Sequence, residues 1–127
     1  MTRHALHWFE IPIADLERAR QFYEGILETS LTPMDLGEEE GLRMLIFPTE
    51  GGGVGGALCH HPVFYRPSEE GSLVYLNADP DLDAVLDRIR SLGGTVLVPK
   101  TRISEEYGYM AVFRDSEGNR VALHSNA

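Results

Sequence analysis

Part of this chain is written twice. Asp15-Leu16-Glu17 returns as Asp81-Leu82-Asp83 at a separation of 66 residues (81 − 15), and Phe47 returns as Phe113 at the same separation (113 − 47). Each aspartate precedes a run with apolar residues at helical spacing: Leu16, Ala19, Phe22, Tyr23, Ile26 and Leu27, then Leu82, Val85, Leu86, Ile89 and Leu92. A carboxylate just ahead of such a run accepts from the free amides of the first turn, so Asp15 and Asp81 predict helix N-caps. Gly93-Gly94 predict a left-handed stop to the second helix. Two cap-and-helix units in one register mark an internal duplication. A half of about 60 residues cannot bury both faces of its own sheet. The two halves are therefore expected to lie side by side, share one core and curve around a central cleft.

Strand signals complete each half. Residues 5 to 13 alternate, with Phe9, Ile11 and Ile13 on one face and Trp8, Glu10 and Pro12 on the other. Pro12 lacks an N–H and predicts an edge position. Further strands are expected at 31–36, 42–47, 56–60, 73–77, 95–98, 109–113 and 120–124, with Pro99 to Glu106 as a loop. Gly37-Glu-Glu-Glu-Gly41 suits a solvated turn, and Asp115-Ser-Glu-Gly-Asn119 a tight one in which Gly118 is free to take positive φ. Gly51 to Gly56 lacks the Lys-Ser/Thr ending of a phosphate loop and reads as a hairpin loop entering a strand. The order is strand, helix, three strands, repeated once. The fold class is α+β, two tandem βαβββ modules forming a curved mixed sheet around a cleft, with modules at 5–61 and 72–125 and a connection at 62–71.

A chain of 127 residues, 43% hydrophobic, is enough for one domain. A net charge of −9 argues against nucleic-acid and anionic-membrane partners, because both need a basic surface. Cys59 is the single cysteine, so neither an intrachain disulfide nor a cysteine metal cluster can form. Met1-Thr-Arg-His4 leads into a strand with no apolar signal segment, and no run of about 20 apolar residues is present. A cytoplasmic location is expected.

The Asp15-Leu-Glu-Arg-Ala-Arg-Gln-Phe-Tyr-Glu24 helix, Trp8-Phe-Glu-Ile-Pro12 near the start and Gly118-Asn-Arg-Val-Ala-Leu-His124 at the end resemble the vicinal oxygen chelate superfamily. That superfamily holds lactoylglutathione lyase, the bleomycin-resistance proteins, fosfomycin-resistance enzymes and extradiol dioxygenases. The likeness covers nearly the whole chain and is nearest to small predicted proteins related to lactoylglutathione lyase. It implies a small-molecule ligand, a homodimer and, in catalytic members, a divalent metal held by His and Glu side chains of the sheet. Four positions normally supply those ligands. They fall here on Trp8, on Leu73 or Val74, on Gly56 or Ala57, and on Ala122, where the lyases have Glu. None of these side chains binds such a metal, so no metal cofactor of the standard kind is expected.

Glu10 lies two residues after Trp8, and His124 two after Ala122, so each shares its neighbour's face. Glu10 is a candidate general base, its alternative being a carboxylate held at the cleft rim by a hydrogen-bond partner or water. His124 is a candidate catalytic or ligand-binding group, its alternative being an exposed structural histidine near the C-terminus. The two also form a candidate displaced metal site, to which His60 would add a third ligand. Trp8, Tyr75 and Tyr109 are candidate aromatic contacts for an apolar or planar ligand, and equally candidate core residues. Arg66, in the connection, either is solvated or closes over a carboxylate or phosphate. Cys59 reads as a small hydrophobe. Three functions follow: a protein binding or transforming a small molecule without the standard metal, a metal-dependent lyase or isomerase with displaced ligands, and a non-catalytic sequestering protein.

Overall fold

The computed structural model describes residues 4–35 and 41–127. Its elements run β1 (Trp8–Pro12), α1 (Leu16–Leu27), β2 (Thr32–Asp35), β3 (Arg43–Ile46), β4 (Gly55–His60), β5 (Tyr75–Asn77), α2 (Leu82–Ser91), β6 (Thr95–Ser104), β7 (Gly108–Arg114) and β8 (Arg120–Ser125). This is the βαβββ unit twice over. Both caps form: Asp15 accepts from the Arg18 amide at 3.0 Å, and Asp81 from the Asp83 amide at 3.0 Å. Gly93 adopts φ +92 beyond α2, as the double glycine predicts. Leu36 and the turn expected at Gly37 to Glu40 lie outside the described residues.

Each module makes its own four-stranded sheet, in the orders β1-β4-β3-β2 and β5-β8-β7-β6. The first and fourth strands of each unit pair in parallel and the rest antiparallel. β1 is an edge, which is where Pro12 can sit without leaving a ladder partner unpaired. β6 is longer than its sequence suggests. It continues through Pro99 to Ser104, and its pairing with β7 shifts register between Val96 and Val98, between Val98 and Thr101, and between Arg102 and Ser104. A proline is tolerated there because β6 is also an edge and the irregular ladder does not require its missing N–H.

The two helices and the inner faces of both sheets close on one core, which includes Ile11, Phe22, Ile26, Leu58, Leu86, Phe113 and Leu123. Phe22 of α1 packs on Phe113 of β7 with ring centroids 6.2 Å apart, so the halves share a core as expected. The β7–β8 turn then binds the modules together. Glu117, its side chain fully enclosed, accepts from the amides of Ala14 and Asp15 at 2.8 and 2.7 Å and from the Arg18 guanidinium at 2.7 and 3.0 Å. Asp115 accepts from the Tyr23 hydroxyl at 2.6 Å, and the Asn119 amide donates to the Pro12 carbonyl at 2.7 Å.

Candidate functional site

Alternation along β1 sends Phe9, Ile11 and Ile13 into the core and leaves Trp8, Glu10 and Pro12 on the outer face of the first sheet. Across the ladder Glu10 stands opposite Ala57, and Met44 opposite Cys59. Met44, Ala57 and Cys59 form a small second apolar cluster on that face, flanked by Leu42 and Ile46 and covered by Tyr65 from the connection between the modules. Tyr65 reaches over the sheet and donates to Glu10 Oε1 at 2.5 Å, while the Trp8 indole N–H donates to Oε2 at 3.2 Å. Glu10 is thus a carboxylate held by two aromatic donors over an apolar floor.

That arrangement governs the acidities around it. The hydrogen bond to Glu10, then burial, pushes the Tyr65 phenol well above its usual range. Burial, then the charge of Glu10, pushes the Cys59 thiol up to about 12. Neither is poised to give up a proton near neutrality. The Glu10 carboxylate is the acceptor of the cluster, and a ligand hydroxyl or amine would reach its Oε1 by displacing the Tyr65 hydroxyl.

On the second sheet the outer face carries Tyr75 opposite Ala122 and Asn77 opposite His124, with Val112 and Met110 beside them. The His124 ring Nε2 contacts the Tyr107 carbonyl. Glu10 and His124 therefore sit on different sheets with different partners, and no hydrogen bond joins them. Tyr109 lies on the helix side of β7, with Ala111 and Phe113, and the Lys100 ammonium stands 4.6 Å over its ring. Strand alternation at Ala111 and Val112 makes this placement legible from sequence once one inward residue of β7 is known. His60 follows Cys59 on β4 and by the same alternation faces away from Glu10. Arg66 lies beside Glu10 in a small polar pocket. Trp8 and Tyr75 both stay exposed on the outer faces.

The chemistry of the four usual ligand positions does not suit a divalent metal. Ladder register equates Cys59 with His124 and Ile13 with Ala78: the Ile13 amide donates to the Cys59 carbonyl as the Ala78 amide does to the His124 carbonyl, each 65 residues apart (124 − 59; 78 − 13). On that register Ala57 matches Ala122 and Trp8 matches Leu73, so the donor set is one indole, one leucine and two methyl groups. Among the described residues no group of three or more His, Cys, Asp or Glu side chains converges to hold a metal.

Two cavities flank the junction of the modules. The larger, about 670 Å³, opens between the end of α1, the inner side of β1 and the free edge of β5, lined by Phe9, Leu27, Phe47, Leu73, Val74 and Tyr75 among others. The smaller, about 220 Å³, lies under the connection and is lined by Glu10, Arg66, Ser68, Ser72 and Arg120 among others. No motif in the sequence marks Tyr65 or Arg120 as a site residue. Tyr65 sits in a loop, where no periodicity announces which face a side chain covers.

The family described as Glyoxalase/Bleomycin resistance protein/Dioxygenase superfamily matches residues 5–123. A comparison with proteins of curated function finds no match. Among solved structures, a glyoxalase/bleomycin resistance protein from a Streptomyces species is 28% identical with a TM-score of 0.65, covering 95% of this chain and 100% of that one. TnmS3, an antibiotic binding protein from a Streptomyces species, is 24% identical with a TM-score of 0.64, covering 100% and 99%. Glyoxalase I from Zea mays is 16% identical with a TM-score of 0.71, covering 96% of this chain and 44% of the maize chain. At that identity the maize likeness is one of fold.

Proposed function

The chain belongs to the Glyoxalase/Bleomycin resistance protein/Dioxygenase superfamily, and from that premise we propose that it binds an apolar, planar small molecule at the junction of its modules without the metal of the lyases. The observation that carries this reading is the larger cavity. Its volume of about 670 Å³ is that of a drug-sized site, and its walls are aromatic and aliphatic with a few polar groups such as Thr29 and Asn77. An antibiotic binding protein of the same fold supports a sequestering role. The candidate displaced ligands are engaged elsewhere, Glu10 by Trp8 and Tyr65 and His124 by the Tyr107 carbonyl, which favours the reading without a metal.

Trp8 lies outside the larger cavity, on the outer face near Glu10, so binding is followed by isothermal titration calorimetry. Planar polycyclic aromatic compounds, pyrene and phenanthrene among them, are titrated against the parent and against Tyr75→Ala, whose exposed side chain can be removed without opening the core. The expected result is saturable binding weakened roughly tenfold or more in the variant, the loss of one aromatic contact. No binding by any compound, or equal binding by parent and variant, overturns the reading. Turnover of a bound compound by the parent protein would assign catalysis instead of sequestration.

The working form is proposed to be a cytoplasmic homodimer. Exposed Trp8, Tyr75, Val98, Ile103 and Tyr107 support it by offering apolar side chains that a second copy can cover. Sedimentation equilibrium should give twice the 14.2 kDa chain mass, and a monomer at micromolar concentration would refute the dimer. Fractionation of the producing cells tests the compartment, and recovery outside the cytoplasmic fraction would refute that part.

A further inference from the structure

The smaller cavity is lined by two arginines. It is about 220 Å³, enclosed by β1 at Glu10–Pro12, the connection at 66–72 and the start of β8, and both Arg66 and Arg120 line it. One Nη of Arg120 donates to the Gly71 carbonyl at 3.0 Å, but its Nε is buried with no acceptor in reach, the one such side-chain nitrogen or oxygen among the described residues. A buried, charged N–H without a partner is costly, so such a group marks a place where an acceptor belongs. Arg66 is exposed and forms no ion pair or hydrogen bond among the described residues.

The walls are held in place rather than loose. The Ser68 amide donates to Asn119 Oδ1 at 3.0 Å, the Arg120 amide approaches the Ser68 carbonyl at 3.4 Å, and Glu69 takes the Arg114 guanidinium at 2.6 Å. The Ser68 hydroxyl accepts from the Glu70 amide. Of the two carboxylates in the lining, Glu10 already has an aromatic donor on each oxygen. Glu70 is exposed, and its charge limits affinity at the pocket mouth. Guanidinium forks match planar and tetrahedral oxyanions, and the volume suits one small anion or the acidic group of a larger molecule.

We propose that Arg66 and Arg120 form a binding site for a small oxyanion, a carboxylate or phosphate group, separate from the apolar cavity and sharing with it only the wall at Ser72–Val74. The site does not depend on what the larger cavity binds.

Inorganic phosphate and acetate are titrated separately at low ionic strength while the arginine Nε–H signals are followed by NMR, with chloride at matched ionic strength as reference. The expected result is a saturable shift of the Arg120 Nε–H with at least one oxyanion, weakened at least fivefold by Arg66→Gln and unchanged by Arg102→Gln, an exposed arginine outside the pocket. Tighter binding of acetate assigns a carboxylate, and tighter binding of phosphate a phosphate. A shift that chloride reproduces, a shift equal in the Arg66→Gln and Arg102→Gln proteins, or no saturable shift overturns the site. Arg66 is solvent-facing, so its variant keeps the test open even where Arg120→Gln fails to fold.

Discussion

Cys59 illustrates how a single side chain takes its chemistry from its neighbours. It is fully buried at the floor of the first sheet's outer face, under Tyr65 and beside Glu10. With its acidity pushed to about 12, only about one thiol in ten thousand is ionised at pH 8, against roughly a quarter for an ordinary cysteine. The thiolate is the reactive form. The native protein should therefore react with Ellman's reagent at least a hundredfold more slowly than the urea-unfolded chain at pH 8, and Tyr65→Ala should speed the native reaction by removing the cover. Equal rates for native and unfolded protein would mean that the thiol is open. The sequence reading of Cys59 as a small hydrophobe matches its burial, but its contact with Glu10 was not legible. The two are 49 residues apart (59 − 10) and meet only because β4 lies parallel to β1.

Among the elements, the β7–β8 turn carries more than its length suggests. The composition Asp115-Ser-Glu-Gly-Asn119 identifies a turn, and Gly118 does take φ +90. What composition does not show is that its side chains are spent on the other module. Asn119 donates to the Pro12 carbonyl and to Asp115 Oδ2, and accepts from the Ser68 amide. The contacts with Pro12 and Ser68 join residues 107 and 51 positions apart, beyond any local pattern. Asn119→Ala takes the partner from the Pro12 carbonyl and the Ser68 amide, while Asp115 Oδ2 keeps the Tyr23 hydroxyl, at about 1–3 kcal/mol for each of those two that stays buried. A loss of about 2–4 kcal/mol by urea unfolding is expected, with the m-value kept. Glu69→Ala, which breaks only the half-exposed pair with Arg114, should cost less than about 1 kcal/mol. Equal effects of the two substitutions would remove the turn's claim to join the halves. The same limit of local reading explains β6, where Pro99 looked like a stop and is instead a bulged edge.

At the scale of the whole molecule, the duplication was legible because helices and caps repeat in sequence. The finer alignment was not, since one extra residue separates β5 from its helix: Ala78 to Asp81 is three steps where Ile13 to Asp15 is two. Among the described residues the halves share no ladder and depend on their common core, on polar contacts such as Asn119 with the Pro12 carbonyl and Arg88 with the Ile26 carbonyl, and on two ionisable contacts between α1 and the β7–β8 turn. Their pH dependences have opposite sign. Burial alone would raise the Glu117 carboxyl, but the Arg18 guanidinium and the Ala14 and Asp15 amides outweigh it and hold the group below its usual range. A depressed carboxyl contributes stability that is present above its unfolded value of about 4.3 and is lost as pH falls through the lower folded value. Tyr23 is pushed well above the ordinary phenol range by burial first, then by the charge and hydrogen bond of Asp115. A raised phenol contributes stability that is present below about 10 and is lost as pH rises toward its folded value, because only the unfolded chain ionises there. Chemical unfolding from pH 2 to 11 should therefore show Glu117→Gln less stable than the parent at pH 7, with the gap closing below about pH 4. Tyr23→Phe should be less stable at pH 7 by about 1–3 kcal/mol, with its gap closing above about pH 10. A Glu117→Gln gap that stays constant into acid, or a Tyr23→Phe gap that stays constant into alkali, would mean that the ionisation of that group does not help to hold the modules together.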